Sequence, residues 1–90
     1  MAGAKEILLT GNVQGVGMRW TVKRIADSLG LSGWVKNNPD GSVVMTIAGE
    51  DALLDSFAER LREDMGACID AMRIRDAKTG TARSGFAIVR

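Results

Sequence analysis

The ninety residues carry twelve Lys or Arg against eleven Asp or Glu, no His, and 46% hydrophobic side chains. A formal charge of +1 lacks the basic excess of a nucleic-acid binder. No apolar stretch reaches membrane-spanning length, and the apolar run near Met1 is too short for a secretory signal, so one cytoplasmic domain over 1–90 is expected, with room for a single modest core.

In chain order, residues 5–11 have the apolar content of a short strand, Ile7-Leu8-Leu9, which runs into Gly11-Asn12-Val13-Gln14-Gly15-Val16-Gly17-Met18-Arg19. A helix follows. Its apolar positions Met18, Val22, Ile25, Ala26 and Leu29 form one stripe of period near 3.6, with Gly30 placed to end it and Lys23, Arg24 and Asp27 on a solvated outer face. Gly33-Trp34-Val35-Lys36-Asn37 and Ser42 to Ala48 read as a hairpin across Asn38-Pro39-Asp40-Gly41. Glu50 and Asp51 open a second helix whose buried face is Leu53, Leu54, Phe57, Ala58 and Leu61, closed by Gly66. Residues 67–76 make a less regular strand, because Ala71 and Met72 blur its alternation. Lys78 to Gly85 is loop-like, and Phe86 to Arg90 is a last short strand. The order is taken as βαββαβ, an α+β ferredoxin-like sandwich with a four-stranded antiparallel sheet and both helices on one face.

The glycine-rich run carries the most chemistry. Glycines allow close approach and positive φ, and the orphan amides and positive dipole end of the following helix favour an anion. Arg19, in the first helical turn, adds a guanidinium fork suited to phosphate oxygens. Two commoner phosphate loops are excluded. Gly17 is followed by Met18 and Arg19 where a P-loop needs Lys and Ser or Thr, and Trp20 stands where a dinucleotide fingerprint needs its last glycine.

Three look-alikes carry no function. Cys68 and Arg73 are one residue too close for a cysteine-phosphatase loop, and Cys68, alone in the chain, reads as a buried inert thiol on a strand. Asp76-Ala77-Lys78-Thr79-Gly80-Thr81 is similar to the aspartyl-phosphate motif of ion-pumping ATPases, but Ala77 separates the acid from the lysine. No metal site is expected, since His is absent and the acids do not cluster. Trp20 and Trp34 read as packing residues, with Trp34 the alternative lining for a substrate mouth.

Two separated motifs, the run from Gly11 to Arg19 and Gly33-Trp34-Val35-Lys36-Asn37 followed by Gly41, Val43 and Gly49, resemble those of the acylphosphatases, small enzymes that hydrolyse the carboxyl–phosphate bond. The resemblance implies a phosphate cradle on the backbone of Gly15, Val16, Gly17, Met18 and Arg19, with the Arg19 side chain as main phosphate ligand. It also implies that Asn37, rather than Asn38, orients the attacking water. Alone, Asn37 would read as a turn residue. Met18 replaces a more usual phenylalanine, and the terminal tyrosine of many relatives is missing. The expected substrate is a small acyl phosphate, with inorganic phosphate or sulfate competing. Neither metal nor cofactor, nucleic acid nor membrane is expected, and the chain is expected to be monomeric. Two readings stand beside this one: a non-catalytic ligand-binding module on the same scaffold, and an excised domain of a larger enzyme such as a hydrogenase-maturation carbamoyltransferase. The start and end of the chain favour a stand-alone enzyme.

Overall fold

The computed structural model describes residues 2–77 and 85–89. Its elements are β1 (Ala2–Gly11), α1 (Met18–Ser28), β2 (Ser32–Asn37), β3 (Val43–Glu50), α2 (Asp51–Met65), a 3₁₀ turn (Gly66–Cys68), β4 (Ile69–Asp76) and β5 (Phe86–Ile88). They form one sheet in the order β4-β1-β3-β2-β5, in which β2 and β5 run parallel and the other neighbours antiparallel. The ferredoxin-like arrangement holds, but the sheet is five-stranded and mixed where a four-stranded antiparallel one was expected. Both apolar segments after α2 are strands, and they go to opposite edges. β5 is only three residues long, and it is held through long-range bonds: Gly33 N–H donates to Gly85 O (3.1 Å) and Val89 N–H to Val35 O (2.8 Å). Nothing local in the sequence announces that pairing.

Alternation on the strands builds the core. Ile7 and Leu9 of β1 face Met45 and Val43 of β3, and Val35 of β2 faces Met45 from the other side; all five are buried. The helices cover this face, α1 burying Met18, Val22, Ile25 and Ala26, and α2 burying Leu54, Phe57, Ala58 and Leu61. These are the stripes the periodicity predicts, except that Leu29 and Leu53 are only partly buried; each buried Val, Leu, Ile, Met or Phe side chain contributes about 1.5–3 kcal/mol. Gly33 lets β2 lie close to β3: its φ is +136°, and a Cβ there would come within 1.9 Å of Thr46 O.

Other boundaries shift. β1 begins at Ala2 because Ala2, Gly3 and Ala4 find partners in Glu50, Gly49 and Ala48, so pairing extends a strand whose own residues signal little. Gly66 ends α2 in a right-handed conformation (φ −56°), and the chain continues into the 3₁₀ turn. Cys68 is therefore half-buried in that turn, neither on a strand nor fully enclosed. Residues 78–84, most of the expected loop, and Arg90 lie outside the described residues.

The hairpin turn is closed by side chains. Asn38 N–H donates to Ser42 O (2.8 Å), and Asp40 accepts from Ser42 N–H (2.9 Å) and Ser42 Oγ–H (2.6 Å). These two bonds hold the Asp40 carboxyl below its ordinary 3.8, as the ammonium of Lys5 does for Asp76. A carboxyl lowered on folding adds stability above its unfolded value, and that share is lost as pH falls through the folded one. Melting followed by circular dichroism is expected to show Tm dropping as pH falls below about 4, with a shallower drop for Asp40→Asn.

Candidate active site

Between β1 and α1 the loop is pinned from below and open above. Val13 and Met18 are 1% and 2% exposed and Val16 packs against the same core, while Gly15 and Gly17 stand at the surface. Gly15 (φ 75°) and Gly17 (φ 80°) are left-handed, and a Cβ at either would meet nothing within 4 Å, so glycine is required by the backbone twist and not by crowding. Gly17 is also the N-cap of α1 and offers no side chain to the first amides of the helix. The first helical bond runs from Thr21 N–H to Gly17 O (3.0 Å), and among the described residues the amides of 15–20 donate to no protein acceptor. A row of open amides at a helix N-terminus attracts an anion.

The second half of the site arrives on β2. Asn37 is paired with Val43, which is paired with Leu9, so Asn37 lies on the helix-facing side of the sheet next to the start of α1. A cavity of about 170 Å³ is lined by Val13, Gly15, Gly17, Met18, Arg19, Trp20 and Asn37, bringing together most of the residues that the two motifs nominate. Arg19 is half-buried, and among the described residues no carboxylate pairs with it. Asn37 Oδ1 is buried and accepts no hydrogen bond from the protein. Asn38 differs in every respect. Its N–H, carbonyl and Nδ2 are all bonded within the turn or to Gln14, with Nδ2 donating to Ser42 Oγ (3.0 Å). A larger hollow of about 420 Å³ lies on the outer side of α1, lined by Trp20, Thr21, Lys23, Arg24 and Asp27, but none of Gly15 to Arg19 lines it.

The acylphosphatase family model matches residues 5–88. The chain belongs to the acylphosphatase family. Membership implies hydrolysis of acyl phosphates. An acylphosphatase of Mesorhizobium japonicum is 44% identical over 87 residues, covering 96% of this chain and 93% of that one. One from Lactobacillus gasseri is 52% identical over 54 residues, 60% of this chain and 59% of its own. The crystal structure of the Bacillus subtilis acylphosphatase superposes over 100% of both chains with a TM-score of 0.89 at 30% identity. Full-length HypF in a phosphate- and nucleotide-bound form matches with a TM-score of 0.92 at 30% identity, but the chain spans only 12% of it.

The structure changes the reading of two residues, Gln14, which the sequence left without a role, and Trp20, which the sequence reads as a packing residue. Gln14 lies inside the first motif with no role of its own, yet its Nε2 donates to both Asn38 O (2.7 Å) and Ser42 O (2.9 Å), tying the acylphosphatase loop to the hairpin turn. Its only local signal is an amide among glycines and valines. Trp20 is 71% exposed and lines the cavity, so it is not a packing residue. Trp34, between Gly33 and Val35, projects from the opposite face of the sheet and does not line this cavity. Replacing Gln14 by Leu removes one of the two donors that each of these carbonyls has, since Asn38 O keeps Gly41 N–H and Ser42 O keeps Asn38 N–H, and should lower unfolding stability by about 1 kcal/mol in urea titration.

Proposed function

We propose that this cleft hydrolyses the carboxyl–phosphate bond of small acyl phosphates through Arg19 and Asn37. The amides of Gly15 to Arg19 and the Arg19 guanidinium bind the phosphoryl oxygens, and Asn37 orients the attacking water. The observation that carries this reading is the buried Asn37 Oδ1, unpartnered within the protein, on a residue that lines the same small cavity as Arg19, which pairs with no carboxylate among the described residues. A buried acceptor without a partner costs about 1–3 kcal/mol, and such a cost is retained where a ligand supplies the donor.

The reaction needs little else from the protein. Water attacks phosphorus, the bond from phosphorus to the acyl oxygen breaks, and the carboxylate departs without needing a proton. Charge spreads over the equatorial oxygens in a loose transition state, where fixed amides and a guanidinium match it. Asn37 accepts one hydrogen bond from the water and holds it in line, but an amide takes no proton at ordinary pH. The water's proton therefore passes to an oxygen of the transferred phosphoryl group, giving inorganic phosphate. The same economy makes the reaction independent of added metal and lets phosphate or sulfate compete. We further propose a monomeric, cytoplasmic enzyme consisting of this one domain.

The wild type is expected to hydrolyse acetyl phosphate after exhaustive chelation; activity lost to chelator and restored by a divalent ion would overturn the metal-free mechanism. Arg19→Ala should remove about 3 kcal/mol or more of transition-state stabilisation, and Arg19→Lys should recover little, because an ammonium cannot reproduce the planar fork. In steady-state kinetics Asn37→Ala should lower kcat by about a hundredfold with KM little changed, the mark of an interaction made in the transition state. Asn38→Ala should cost stability and spare kcat. A dead Asn38→Ala beside an active Asn37→Ala would reverse the assignment.

A further inference from the structure

Beside the cradle lies a second hollow, of about 270 Å³, lined by Arg19, Trp20, Lys23 and Ile88. It shares Arg19 and Trp20 with the cradle cavity, so a molecule held by its phosphate at the amides has its remaining atoms within reach of this space. On α1, Lys23 lies about one turn beyond both Arg19 and Trp20, four and three residues on, which puts all three on neighbouring rows of one flank. The fourth wall is Ile88, brought there by the parallel edge strand β5.

The chemistry of these walls selects an occupant. Among the described residues only Trp20 and Ile74 are large apolar side chains left exposed, and Trp20, at 71%, is much the more exposed. Lys23 is no free cation. Its Nζ donates to Asp27 Oδ2 (2.8 Å) and Phe86 O (3.1 Å), so its charge is compensated and its ammonium is tied to the strand beside Ile88. A second anionic group on the ligand would find no uncommitted partner there, whereas an apolar group would cover the indole and the Ile88 side chain. The volume lies just below the ~300–1,000 Å³ of pockets that take drug-sized molecules, a scale suited to one ring or a short branched chain.

We propose that Trp20 and Ile88 form the subsite for the acyl group, and that it favours uncharged aromatic or bulky apolar acyl phosphates over small or anionic ones. This rests on the reaction proposed above. Trp20 is then a specificity-determining residue, acting on the leaving group while Arg19 and Asn37 act at phosphorus. An aromatic contact of this kind is stronger with a ring than with a methyl group by area and by stacking.

The test compares benzoyl phosphate with acetyl phosphate in the wild type, Trp20→Ala and Trp20→Phe, alongside calorimetric binding of benzylphosphonate and methylphosphonate. The ratio of kcat/KM for benzoyl phosphate to that for acetyl phosphate is expected to fall about tenfold in Trp20→Ala and to recover most of that loss in Trp20→Phe, with the ratio of phosphonate affinities moving in parallel. Ratios that Trp20→Ala leaves unchanged would overturn the subsite. A wild type that hydrolyses neither acyl phosphate yet prefers benzylphosphonate, a preference lost in Trp20→Ala, would refute the reaction and keep the subsite. Because Trp20 is at the surface, its variants are expected to fold, and a circular dichroism melt checks this.

Discussion

The register between β2 and β3 is the constraint on which the site depends. Asn37 faces Val43, and Val43 faces Leu9, so all three lie on the side of the sheet that the helices cover. A slip of one residue would turn Asn37 to the open face and bring Lys36 and Asn38 toward the core. Two features oppose such a slip. Gly33 lies so close to Thr46 O that no residue with a side chain fits there, and the turn from Asn38 to Ser42 is closed by Asn38, Asp40 and Ser42 together. The placement of one polar side chain is thus secured by apolar packing and turn chemistry several residues away.

Within the cradle the work is divided by residue type. Val13, Val16 and Met18 fasten the loop to the core, and Gly15 and Gly17 shape the backbone between them. The polar groups that would ordinarily be satisfied inside the protein are left open: the amides at the start of α1, the Arg19 guanidinium and Asn37 Oδ1. Leaving them so costs stability, and the neighbouring turn shows the alternative, since the N–H, carbonyl and Nδ2 of Asn38 are all bonded within the protein. Gln14 joins these two regions, one committed to the fold and the other open to a ligand.

The parallel edge strand links the outer part of the cleft to the fold. β5 extends the sheet beside β2 and sets Ile88 across from Val35, while Phe86 joins the core and its carbonyl receives Lys23. A four-stranded sheet would have left β2 as an edge and the flank of Trp20 without a facing wall. Surface pairs such as Arg24 with Asp64 (3.3 Å) also join α1 to α2, but exposed ion pairs of this kind contribute little to stability.

The sequence by itself determined the two helices and most of their buried stripes, the hairpin, the glycine-shaped loop before the first helix and the family, because each is written in consecutive residues. A period of 3.6, a glycine that needs positive φ, and a turn rich in Asn, Pro, Asp and Gly act over a few bonds. Only the tertiary structure decided that Asn37 Oδ1 has no partner, that Gln14 reaches carbonyls 24 and 28 residues away, that Trp20 is exposed where Met18 is buried, and that a three-residue strand lies parallel to β2. Those outcomes depend on which distant groups meet and which are left unpaired. Distant pairing is set by packing of the whole core, so no local pattern carries it.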